Sequence, residues 1–104
     1  VGFDPREPEQ RRRLNKALAA ADLTAGELWL RYFGMSGSAG EYEVQAYLEG
    51  LLSLPSNERD LLALAANELI RETPELIIRD APPLLAPLGD QLNGSAEGGR
   101  SRGE

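Results

Sequence analysis

EYEVQAYLEGLLSLPSNERDLLALAANELIRE, residues Glu41 to Glu72, decides the fold, because it reads as two amphipathic helices hinged at Leu54-Pro55-Ser56-Asn57. In its first half Val44, Tyr47, Leu48, Leu51 and Leu52 recur at i, i+3, i+4, i+7 and i+8, the spacing of one apolar helix face. Gly50 on the flank of that stripe predicts a close approach by a neighbouring helix. Pro55 disfavours helical geometry at Leu54 and ends the segment. Ser56 or Asn57 is then expected to cap a second helix, with Glu58 and Asp60 in its favourable first turn. That helix runs from about Asn57 to Glu72. Leu62, Ala65, Ala66, Leu69 and Ile70 form its broad apolar face, with Leu61 at the edge, and Asp60, Asn67 and Arg71 mark the opposite side. Leu64 projects among the polar residues. Either the helix is packed on two sides, by the C-terminal segment, or Leu64 meets a partner.

Upstream, Asp4-Pro5-Arg6-Glu7-Pro8 signals a helix start, and a first helix from about Pro8 to Ala21 carries the narrow stripe Leu14, Ala17, Leu18 and Ala21. The triplet Arg11-Arg12-Arg13 lacks interleaved aromatics and reads as a solvated or internally paired face rather than a phosphate site. Thr24 and Glu27 form a capping box, stapled by Leu23 and Leu28, that opens a second helix. It carries Leu28, Trp29, Leu30, Tyr32, Phe33 and Met35, more than one stripe, and most are expected in the core, with Trp29 and Phe33 one turn apart supplying much of the burial. Gly34 ends it. The connector Ser36-Gly37-Ser38-Ala39-Gly40 has neither the lysine nor the preceding strand of a phosphate loop, and Ser38 with Glu41 predicts a second capping box.

Beyond Glu72, Thr73 is placed to cap a short helix containing Leu76, Ile77 and Ile78. Ala81-Pro82-Pro83-Leu84-Leu85-Ala86-Pro87-Leu88 cannot form a regular helix; it drapes across the bundle in extended form or is held out for a partner. Residues 93–104 have no apolar periodicity and are expected to be disordered. The reading is therefore an all-α domain over 1–92, with a loose lead over 1–7. Four main helices pack in a small orthogonal or bundle-like arrangement with a short C-terminal helical or extended element.

Composition narrows the function. With 104 residues, no cysteine and no histidine, the chain has no thiolate metal site, no cysteine nucleophile and none of the commonest general base. A net charge of -6 opposes binding to polyanions such as nucleic acid or anionic membrane, whose affinity comes largely from Lys and Arg. The charge is uneven. Residues 1–40 carry six bases against five acids, and residues 41–80 nine acids against three bases, so a basic first helix could lie against the acidic pair within one molecule or between two copies. No apolar run approaches the roughly 20 residues of a membrane span, and the expectation is a cytoplasmic protein with no cofactor. Ten of the eleven bases are arginine, which with the alanine, glycine and leucine content suggests a high-GC bacterial genome.

Two resemblances bear on class. Leu54-Pro55-Ser56-Asn57-Glu58-Arg59-Asp60-Leu61-Leu62 resembles the L-P-x-x-x-R-x-x-L phrase that begins the helix-turn-helix of bacterial sigma factors. That likeness implies DNA binding. It covers nine residues, and Thr73-Pro74-Glu75 follows where the family has a turn and a basic recognition helix. Over a longer stretch, Glu27-Leu28-Trp29-Leu30-Arg31-Tyr32-Phe33, then Glu43 to Pro55, then Ala65-Ala66-Asn67-Glu68-Leu69, the chain is similar to small uncharacterised all-helical proteins of actinobacteria. The likeness implies a fold and a bacterial source but no site residues.

For an enzyme, Glu41 with Glu43 and Glu68 with Glu72 are the carboxylate pairs, and their spacings give different faces or a solvated one. Glu68 beside Asn67 on a largely buried helix is the remaining polar pair, with structural hydrogen bonding the simpler role. The expectation is a non-catalytic interaction or regulatory module. It meets a protein partner, or a second copy of itself, through Leu64, Asn67 and Arg71 on the fourth helix or through Leu84 and Leu85. The alternatives are a DNA-binding helix-turn-helix protein and an enzyme subunit.

Overall fold

The computed structural model describes residues 4–72 and 84–92, and all its regular structure is helical. Helix α1 spans Glu7–Ala20, α2 Ala25–Gly34, α3 Glu41–Leu48 and α4 Ser56–Arg71. Residues 84–88 are extended and lead into one helical turn at 89–92. The expected short helix at Leu76, Ile77 and Ile78 and the tail from 93 lie outside the described residues.

Helix α4 packs against α1 and α2, and α3 closes the arrangement by packing against the same two helices. The pairs α1/α2 and α3/α4 are therefore diagonals with no close backbone approach. The two hinged helices read in the Glu41–Glu72 stretch are thus present but do not pack on each other. The loop between them is long because α3 ends at Leu48, several residues earlier than its apolar stripe predicts. Leu51, assigned to that stripe, is 74% exposed.

The reason lies in Gly50, whose φ of +82° is the left-handed conformation that glycine adopts at least cost. Its N–H donates to the carbonyl of Tyr47 at 3.0 Å and that of Leu51 to Ala46 at 2.8 Å, the paired bonds that close a helix C-terminus. Gly50 thus stops the helix, and its expected role as a flat spot for a neighbour is replaced. The same device ends α1 at Asp22 (φ 60°) and α2 at Ser36 (φ 76°), so three successive helices terminate through one left-handed residue each.

The helix starts are more varied. Thr24 makes the expected capping box: its hydroxyl accepts from Glu27 N at 3.1 Å, and the Glu27 carboxylate accepts from Thr24 N at 2.8 Å. The second box does not form at Ser38, and at the actual N-cap only one of its two bonds is possible, because glycine has no side chain to accept the other. Gly40 is the N-cap of α3 and donates its N–H to Glu43 at 2.7 Å, whereas Ser38 N donates to Glu58. Neither Ser56 nor Asn57 caps α4, whose N-cap is Pro55 without a side-chain bond. In α1, Pro8 occupies the first turn, where a missing N–H costs nothing.

The core joins Leu14, Ala17 and Leu18 of α1, Leu28 and Tyr32 of α2, Val44 and Tyr47 of α3, and Leu62, Ala65, Ala66 and Ile70 of α4. On α2 the expected anchors exchange places. Leu28 and Tyr32 are fully buried; Phe33 is 57% exposed and stacks on the partly buried Trp29 with ring centroids 5.0 Å apart. Trp29 Nε1 donates to the Ala39 carbonyl at 3.0 Å, so the indole covers the connector instead of entering the core. Tyr32 OH donates to Glu58 at 2.5 Å and accepts from Ala39 N at 2.9 Å, fastening α2, the connector and the first turn of α4 together.

Candidate interaction surface

Arg59, the arginine of the L-P-x-x-x-R phrase, is 4% exposed and has no access to a phosphate backbone. Its Nε donates to Gln10 Oε1 at 3.0 Å, one terminal nitrogen donates to the Leu54 carbonyl at 2.7 Å, and the other pairs with the Asp4 carboxylate. The phrase is thus a local clamp: the guanidinium folds back over one helical turn to satisfy the carbonyl that precedes Pro55. Glu7, also buried, accepts from Ser53 Oγ at 3.0 Å and Leu54 N at 3.2 Å. Residues 4–7, expected as a loose lead, are held down by these bonds. Asp4 sits below the usual carboxylate range, chiefly because Arg6 N donates to it, with the Arg6 and Arg59 side chains adding to the effect.

A cleft opens over this cluster between Asp4, Glu7, Ser53, Leu54, Pro55, Ser56 and Arg59. Its charged groups already bond to one another, as buried charges must, and no activated nucleophile stands beside a free base. The expected polar pair on α4 separates: Glu68 is exposed and bonds Arg31 of α2 at 3.0 Å, with Glu72 taking a two-pronged contact from the same guanidinium at 2.8 Å. Among the described residues no cluster of three metal-ligating side chains occurs.

Asn67, drawn from sequence as part of an outer contact face, is 8% exposed because the C-terminal strap lies on it. Its amide nitrogen donates to the Ala86 carbonyl at 3.0 Å, and its amide oxygen accepts from Ala86 N at 2.7 Å. Asn67 thus fixes Ala86 on α4, while its neighbours Leu84 and Leu85 line a groove with Arg12, Arg13 and Lys16 of α1. Leu64 and Arg71, one turn to either side of Asn67, stay exposed, with Leu64 at 43%. Farther along the strap, Gln10 Nε2 donates to the Pro87 carbonyl at 3.2 Å and to Asp60 at 3.0 Å, and Asp60 also accepts from Gly89 N at 3.0 Å. A chain of polar side chains thus runs from Asp4 through Arg59, Gln10 and Asp60 to the strap.

Between α1 and the strap lies a groove of about 270 Å³ lined by Arg12, Arg13, Lys16, Leu84, Leu85 and Pro87. Arg12 and Arg13 share one acid, Glu9, each at 2.6 Å, and Lys16 has no acidic partner among the described residues. The two arginines, Arg12 foremost, bring Glu9 down to about 2. The result is a positive, leucine-edged surface on an acidic protein. The remaining residue of the basic triplet, Arg11, stands 5.9 Å over the Tyr47 ring. In the sequence the triplet and the leucines lie about seventy positions apart, and the signal linking them is the need of an extended, proline-containing segment for a helix to lie on. No known protein family, curated protein or solved structure matches the chain.

Proposed function

We propose that this protein is a non-catalytic interaction module of a bacterial cytoplasm that binds an acidic, leucine-bearing segment of a partner protein. The observation that carries the reading is the groove between α1 and the strap, where the cations Arg12, Arg13 and Lys16 face Leu84 and Leu85. Apolar contact supplies affinity in such a surface, and the charges at its rim select the partner and speed encounter. Leu84, 45% exposed, offers an edge that a second side chain could cover. The saturated cluster at Arg59 supports the non-catalytic part of the reading, since its polar groups are spent on holding residues 4–10 against the loop before α4.

The test is capture from source-cell extract by the tagged wild-type chain, compared with Lys16→Glu and Leu84→Glu. A partner retained by the wild type and lost from both variants is the expected result. A partner retained equally by all three, or none at native expression levels, removes this groove as the binding surface.

A further inference from the structure

Among the described residues, four hydrogen bonds tie the strap to the helices, and each uses a main-chain atom of the strap: Ala86 N, Ala86 O, Pro87 O and Gly89 N. The matching groups are the side chains of Asn67, Gln10 and Asp60, fixed on two helices. Asn67 treats Ala86 as a neighbouring β-strand would, taking both its donor and its acceptor. Proline at 87 has no N–H to leave unsatisfied, and its carbonyl is the one Gln10 reaches. The side-chain demands of the seat fall at two points, with Leu85 and Leu88 only partly covered: Ala86 is 2% exposed and must be small, and Leu92 is 9% exposed and must be apolar.

From this pattern we infer that the channel across α1 and α4 is a seat for extended peptide, and that a partner segment with the strap's chemistry occupies it in place of residues 84–92. That chemistry is a small residue followed by proline, with apolar residues on both sides. Main-chain recognition supplies affinity that is indifferent to most side chains, and the buried alanine position supplies selectivity. The tethered strap competes at high effective concentration, so the intact protein binds such a peptide weakly until the strap is unseated. This inference is independent of the acidic-partner reading, which concerns the outer groove with the strap in place.

A labelled peptide copying residues 84–92, Leu-Leu-Ala-Pro-Leu-Gly-Asp-Gln-Leu, tests it by fluorescence anisotropy against the full chain. Ala86→Arg places a long side chain where none fits, and Gly89→Pro removes the donor to Asp60; both unseat the strap while leaving the seat intact. Each is expected to bind the peptide at least about tenfold more tightly than wild type. Adding Asn67→Leu to either should abolish binding, and a scrambled peptide should not bind. Circular dichroism verifies that the helices persist. A folded strap variant that ignores the peptide, binding insensitive to Asn67→Leu, or equal binding of the scrambled peptide would each overturn the inference. If both strap variants unfold, the strap is an integral part of the fold and the seat is not exchangeable.

Discussion

Gly37 lies so close to the face of Tyr32 that a Cβ added to it would stand 2.3 Å from the ring's Cζ. The ring has nowhere to go, because its hydroxyl is held by Glu58 and by the N–H of Ala39. The small-residue connector after α2 is therefore a fitted part, and its role is to let the backbone cross an aromatic ring in the core.

Gly37→Ala should accordingly destabilise the domain by about 3 kcal/mol, the upper end of the usual overpacking cost. Chemical denaturation gives the value directly. Gly34→Ala, with no atom near the added methyl, is the control and should leave stability unchanged or slightly raised.

Arg59→Met should cost about 3 kcal/mol, the low end for breaking a buried pair, because it strands the half-buried Asp4 carboxylate, the Leu54 carbonyl and the Gln10 amide that face one guanidinium. Lysine should rescue little, since one ammonium cannot reach Asp4, Gln10 and Leu54 O in three directions. A measured loss below about 1 kcal/mol would show that the cluster is solvated and does not anchor the N-terminal residues.

Ser36→Gly should stabilise by roughly 0.5–1 kcal/mol. The left-handed conformation costs an L-residue about 1–2 kcal/mol, and the added freedom of the unfolded glycine returns part of that gain. A rise in Tm of a few degrees in a thermal scan is the expected readout. Asp22→Gly should show a smaller gain, since Asp tolerates this region better than Ser.

Tyr47 is fully buried, and its hydroxyl is the one buried side-chain polar atom among the described residues without a hydrogen-bond partner. Burial pushes its phenol up to about 12, with nearby charges adding smaller and opposing effects. A folded pKa raised above the unfolded value of about 10 gives stability that is complete below pH 10 and is lost as pH climbs towards 12. Tyr47→Phe should therefore leave stability at pH 7 unchanged or raise it by up to about 1 kcal/mol, and should flatten the decline above pH 10. The phenol of Tyr32, also raised, chiefly by burial, keeps a residual slope in the variant. Denaturation midpoints across pH 7 to 11.5 check both points.

Local signals in the sequence are legible where a short run of chain carries the whole pattern. The box at Thr24 and Glu27 is such a case, and so are Leu14, Ala17 and Leu18 of the α1 stripe, though its last member, Ala21, is the C-cap beyond the helix. The wheel could not choose between the pairs Leu28/Tyr32 and Trp29/Phe33, because both have i, i+4 spacing and only the glycine facing Tyr32 separates them. It also ran past Gly50, since periodicity does not register a change in the sign of φ. The arrangement of α3 and α4 was missed for the same reason: a loop lengthened at Gly50 lets two consecutive helices lie on a diagonal. The helical wheel makes Asn67 an outward polar residue, and it is polar because main-chain groups of the strap need a partner there. The fate of Arg59 depends on Asp4 and Gln10, about fifty positions away, and no periodicity carries that information.

The hydrogen bond from Gln10 to the Pro87 carbonyl joins positions 77 apart in the chain. During synthesis, α1 emerges long before the residue that satisfies its buried amide, and the same holds for Asn67 and Ala86 over a shorter wait. The domain is thus expected to complete its folding only after residues 84–92 have left the ribosome, with the strap acting as the closing step. A stalled or clipped chain lacking those residues would expose Asn67, Gln10 and the apolar floor between them, a surface on which quality control could distinguish unfinished molecules from finished ones.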